Sequence, residues 1–94
     1  MIELGGNINL EGFEEVEPGK IIIVKKVVGN YVKNLTEKID NFENMFVSFK
    51  FDKNNMIDIK LKCGENEIMS NSSDKNIFFA LNNALTELED KLKQ

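Results

Sequence analysis

Lysine is the residue type through which this chain can do chemistry. All twelve cations are Lys, and the 94 residues include no Arg and no His. An ammonium group is a compact, strongly hydrated point charge. It holds phosphate or carboxylate oxygens but lacks the planar fork with which Arg reads them two at a time. The lysines are unevenly placed. Residues 1–18 hold Glu3, Glu11, Glu14, Glu15 and Glu17 and no Lys. Residues 19–40 hold Lys20, Lys25, Lys26, Lys33 and Lys38 against Glu37 and Asp40, five minus two, a net +3. The rest carries seven Lys against nine acids, and the whole chain is −4. The acidic balance and the absence of Arg weaken a nucleic-acid reading, and the first helix is the only net-basic element.

Other chemistries find little material. Without His no Ser or Cys triad assembles, and one Cys without His leaves no zinc ligand set. Gly12 to Lys20 is not a phosphate loop: six residues separate its glycines where four are needed, and Ile21 replaces the Ser or Thr. Asp52 and Asp58 form no recognisable acid–base pair. The expectation is a non-enzyme with no catalytic residue, no cofactor, no metal and no small-molecule substrate. Cys63 stands alone, so no intrachain disulfide forms, and a reducing, cytoplasmic setting is expected. Neither a signal-peptide pattern nor a run of membrane-spanning length is visible, so no membrane partner is expected.

The elements that must position the lysines follow from periodicity. Ninety-four residues suit a single domain over 1–94. Ile2 to Leu10 reads as a strand broken at Gly5-Gly6, with Ile8 and Leu10 on one face. Pro18, the only proline, fits the first turn of a helix. From about Gly19 to Asp40 the stripe Val24, Val28, Tyr31, Leu35 and Ile39, widened by Ile21 and Val32, predicts the first helix. Gly29 within it costs about 1 kcal/mol relative to Ala, and marks either close packing or a weak spot.

Three strands come next. Met45, Val47, Phe49 and Phe51 alternate with Asn44, Phe46, Ser48 and Lys50. After a turn at 52–55, Ile57, Ile59, Leu61 and Cys63 alternate with Asp58, Lys60 and Lys62. Gly64-Glu65-Asn66 is a second turn, and Glu67 to Ser72 an edge strand. The closing helix shows apolar residues at Ile77, Leu81, Ala84, Leu85, Leu88 and Leu92. Ser73 or Asp74 is its expected cap, with Lys91 and Lys93 at the cation-favouring end. The order β-α-β-β-β-α makes the first two strands parallel and the last three an antiparallel meander. The predicted fold is therefore α+β: a two-layer sandwich with a four-stranded sheet, order 1-2-3-4, and both helices on its one apolar face.

Several of these segments resemble the ribosome hibernation-promoting factor family, which includes subunit-interface proteins. Gly6-Asn7-Ile8 resembles that family's opening Gly-x-Asn-Ile/Val strand. Cys63-Gly64-Glu65-Asn66-Glu67-Ile68 looks like its Asn-Gly-Gly-Glu-Ile hairpin. Asn76 to Lys93 resembles its last helix. The resemblance implies a sandwich similar to the double-stranded RNA-binding fold, and a domain that binds the small ribosomal subunit and lowers translation in resting cells. It also implies RNA contacts from basic helix residues: Lys91 and Lys93 match by position, and the first helix is basic too, at Lys20, Lys25, Lys26, Lys33 and Lys38. The chain departs from the pattern at Asp90, where the family usually has Arg, and at Asn82, where it has Asp.

Two function readings stand side by side. In the first, Lys25, Lys26, Lys33, Lys60, Lys62, Lys91 and Lys93 contact ribosomal RNA. In the second, the sheet face opposite the helices, where Phe46 and Met69 sit among Lys50, Lys60 and Lys62, stacks on a second copy, and the module binds no RNA. The placement of the lysines separates them: a contiguous positive field favours the ribosome, interleaved acids the dimer.

Overall fold

The structure, a computed structural model, describes the backbone of residues 2–4 and 7–92 and the side chains of 7–92. In chain order the elements are β1 (Ile2–Leu4), β2 (Ile8–Glu11), α1 (Pro18–Lys38), β3 (Phe42–Asp52), β4 (Asn54–Cys63), β5 (Asn66–Asp74) and α2 (Ile77–Leu92). One sheet runs in the order β1-β2-β3-β4-β5. Only β2 and β3 are parallel; β1 with β2, β3 with β4, and β4 with β5 are antiparallel. The expected four-stranded order is present as β2 to β5. The predicted break in the first strand separates off β1, which folds back on β2 with Leu4 opposite Ile8 and adds a fifth, short edge strand. Gly5 and Gly6 lie outside the described residues.

The core follows from matched periods. Along β4, Ile57, Ile59, Leu61 and Cys63 are buried while Asp58, Lys60 and Lys62 are exposed, the two-residue alternation of a sheet with one dry face. Val24, Val28, Val32 and Leu35 of α1 lie on that face, as do Ile77, Ala80, Leu81, Ala84, Leu85 and Leu88 of α2, in one continuous cluster. Both helices therefore cover the same side of the sheet. Ser70 is the only buried polar residue among the described ones, and its hydroxyl donates to the Ala84 carbonyl at 2.8 Å. The bond ties α2 to the edge strand and satisfies a group that would be costly to bury alone.

The passage from β2 into α1 holds a residue that periodicity did not mark. Phe13 is fully buried, with its ring 5.4 Å from that of Phe49. Gly12 makes this possible. It sits at φ +84°, and a Cβ there would lie 2.2 Å from the Phe49 carbonyl oxygen, so only glycine fits. Phe49, which the alternation puts on the same side as Met45 and Val47, is half-buried and forms the outer side of this aromatic pair. The amide of Val16 closes the turn on the Phe13 carbonyl at 3.0 Å, and α1 starts at Pro18 without a side-chain cap.

Two local expectations are corrected. The turn at 52–55 is tighter: the strands pair until Asp52 faces Asn54, leaving Lys53 at the tip with φ 70°. The cap of α2 is Asn76, not Ser73 or Asp74. Its Oδ1 accepts the Phe78 and Phe79 amides at 2.8 and 3.3 Å. Ser73 and Asp74 are unavailable because β5 continues through them, opposite Met56 and Asn55. Asp74 Oδ1 instead accepts the Asn76 amide at 2.9 Å and orients the true cap.

Leu81 is fully buried where α2 meets the sheet. Leu81→Ala should cost about 2–5 kcal/mol, the range for a large-to-small change in a tight core. Chemical unfolding checks this, and a loss below about 0.5 kcal/mol would put Leu81 outside the cooperative core.

Candidate nucleic-acid interface

The sequence-predicted site residues fall on three surfaces. Lys50, Lys60, Lys62, Phe46 and Met69 lie on the open sheet face, as the alternation required. The register lines them up: Asn9 opposite Phe46, Phe46 opposite Lys60, Lys60 opposite Met69. Phe46 is half-buried and Met69 is 59% exposed. Acids interleave with these lysines. Lys60 Nζ lies 3.4 Å from Glu67 Oε1, and Lys62 Nζ 3.6 Å from Glu43 Oε2. Such exposed pairs contribute about 0–1 kcal/mol to stability, but each offsets the charge of its lysine that a phosphate would meet.

α1 carries the second surface. Lys26 and Lys33 are exposed and Lys25 is half-buried. Val27, Asn30, Tyr31, Asn34 and Lys38 face α2. At 3.6 residues per turn, Lys26 and Lys33 project from the other flank of the helix, with Lys25 one step nearer the sheet. None of these three makes an ion pair among the described residues. They form the only cluster of the proposed RNA-contacting lysines whose charge is not locally answered.

The third surface is the last turns of α2. Lys91 Nζ sits 3.2 Å from Glu87 Oε1 one turn back, and also donates to the Met69 carbonyl on β5. Lys91 thus covers an open edge carbonyl, a use of lysine that protects sheet edges. Lys93 lies outside the described residues. Between the helices runs an open groove of about 630 Å³ whose floor includes Leu35 and Leu85. At its end Glu89 accepts a hydrogen bond from Tyr31 Oη at 3.0 Å and an ammonium contact from Lys38 at 3.1 Å. Sequence reasoning missed this Tyr31–Glu89–Lys38 knot. Its partners are 58 and 51 residues apart, and nothing local in the chain announces the meeting.

Cys63 is buried and free. Burial, then the neighbouring Glu43 carboxylate, pushes its thiol pKa up, which keeps it protonated and unreactive. No helix among the described residues is long and apolar enough to cross a membrane.

No family model matches the chain, and no curated protein matches it. Solved structures do. The chain superposes on a ribosomal subunit interface protein from Coxiella burnetii with a TM-score of 0.64 at 14% identity, covering 92% of each chain. It superposes on the Protein Y N-terminal domain from Thermus thermophilus with a TM-score of 0.72, again at 14% identity and 92% of each chain. At this identity the likeness establishes the fold. The two-layer sandwich expected from the residues is the architecture of these proteins, and a subunit-interface protein is the kind of protein the sequence resemblance named.

Tyr31, the only tyrosine, reports on the groove. Burial first, then its hydrogen bond to Glu89, raises its pKa well above the ordinary 10.0. The folded state therefore favours the neutral phenol. Its contribution to stability is complete below pH 10.0 and is lost as pH rises above that value. Ultraviolet titration should show Tyr31 ionising late, and Glu89→Gln should bring the midpoint down. A wild-type midpoint at the ordinary value would mean the Tyr31–Glu89 contact is absent in solution.

Proposed function

We propose that this protein is a cytoplasmic, non-enzymatic factor of the hibernation type that docks on the small ribosomal subunit and lowers translation. The observation that carries the reading is the flank of α1, where Lys25, Lys26 and Lys33 present three charges without an acidic partner among the described residues. On a protein of net charge −4, such a flank attracts phosphate only over a short range and in one orientation. The shared fold with a ribosomal subunit interface protein supports ribosomal RNA as the source of those phosphates. Lys60, Lys62 and Lys91 belong to this reading as secondary contacts, each exchanging a carboxylate for a phosphate. Lys93, beside Lys91 in sequence, would extend them.

The experiment is salt dependence. Each phosphate contact contributes a slope of about 0.7–0.9 in log affinity against log salt. Changing Lys25, Lys26 and Lys33 together to Gln should flatten the slope for small-subunit binding by about 2–3. An unchanged slope clears α1 of the role.

The open sheet face favours a second reading, a homodimer that binds no RNA. Met69 and Phe46 place an apolar strip across a face on which Lys60 and Lys62 are already answered by Glu67 and Glu43. Two such faces related by a two-fold axis would bury each other's strip, and the rim pairs would add little. Phe46→Lys should then abolish dimers in light scattering while circular dichroism stays native. A wild type that is monomeric at high concentration removes this reading.

A further inference from the structure

Gly29 sits in the middle of α1, where glycine is the worst helix former after proline. Chains keep such a residue when something must come close to the backbone. Nothing among the described residues does. A Cβ built at Gly29 meets no atom within 4 Å, and its φ lies outside the left-handed range. Alanine would fit without strain, so close packing inside the domain is ruled out as its reason.

What surrounds Gly29 is charge. On a helix the neighbours of a residue are those three and four positions away. For Gly29 these are Lys25 and Lys26 on the preceding turn, and Lys33 with the buried Val32 on the next. The three lysines without an acidic partner thus ring a position that has no side chain. Ile22, 55% exposed, continues the same stripe towards the start of the helix. The result is an open stretch of helix surface at Gly29, with Lys33 one turn on leaning back over it and Lys25 and Lys26 on the turn before it.

We infer that the Gly29 notch is a seat for an RNA backbone phosphate, which lies against the bare helix flank between Lys25, Lys26 and Lys33. The inference rests on the ribosome-binding reading and locates its central contact. The backbone amides at mid-helix are spent on the helix itself, so the seat offers charge and closeness rather than hydrogen-bond readout. It takes the backbone without regard to base, as a positioning contact does. Coulomb attraction falls with distance, so any side chain at 29 holds the phosphate off all three lysines at once. That is a physical reason for glycine that alanine cannot meet.

Two variants test it, with purified small ribosomal subunits and a labelled RNA hairpin as probes. Gly29→Ala should raise the chemical-denaturation midpoint, because helix propensity improves, and yet weaken binding. Gly29→Leu, which has open space to occupy, should weaken binding about tenfold and lower the salt slope by about 0.7–0.9, the worth of one phosphate contact. Lys33→Gln should lower the slope by a similar amount, and its loss should not add fully to that of Gly29→Leu. Better stability with weaker binding is a combination that a merely weak spot in the helix cannot give. If both Gly29 variants fold and bind as wild type while the lysine variants lose slope, α1 binds RNA and the notch does not seat it. If Gly29→Leu weakens binding with the slope unchanged, the flank docks an apolar surface and the phosphate seat is wrong. If the wild type binds neither probe, the ribosome reading fails and takes the seat with it.

Discussion

Everything in this domain follows from one sheet having one dry face. The alternation along β4 leaves Ile57, Ile59, Leu61 and Cys63 needing cover and Asp58, Lys60 and Lys62 needing water. Two amphipathic helices must share the apolar side, because no second apolar side exists. The widths agree: the four buried residues of α1 and the six of α2 meet the sheet in a single cluster. Reaching that side from β2 forces the chain through Gly12 at φ +84° and buries Phe13 as the plug under the start of α1. The positions of the lysines at issue are then fixed by geometry: Lys60 and Lys62 on the open sheet face, Lys91 at the end of α2 against the β5 edge, and Lys25, Lys26 and Lys33 on the free flank of α1.

That sorting decides the electrostatics. A lysine on a strand has cross-strand neighbours, and here Glu43 and Glu67 stand among them. A lysine near the end of α2 has Glu87 one turn back and the β5 edge beside it. On the free flank of α1 no lysine forms an ion pair among the described residues, with Glu37 one turn beyond Lys33, so most of its charge survives. Net charge of the whole chain is a poor guide to such a surface; local pairing is what an approaching phosphate meets.

The sandwich was legible because both of its periods were. β4 alternates strictly, β3 alternates in its middle around the buried Met45 and Val47, and α2 holds its stripe over four turns, so element types, order and most of the core could be read from spacing alone. Phe51, on the inner side by spacing, is 66% exposed where β3 runs past the helices. Phe13 was not legible: it lies in an acidic stretch with no repeat, and its burial depends on a glycine φ and on Phe49, which is distant in the chain. The cap of α2 was misplaced because Ser73, Asp74 and Asn76 are all good caps, and only the length of β5 selects among them. The site was half legible. The basic character of the first helix was visible as a count. Which lysines are neutralised was not, because ion pairs such as Lys62 with Glu43 depend on register. Gly29 carried two readings in the sequence, and the open space around it removed one of them.

The most direct test of the account is sedimentation of the tagged chain with ribosomes from resting cells, across a range of salt. Migration with the small subunit at low salt, released progressively as salt rises, is the predicted result. A chain that stays at the top of the gradient even at low salt, where attraction to phosphate is strongest, would contradict the claim that the free flank of α1 exists to meet ribosomal RNA.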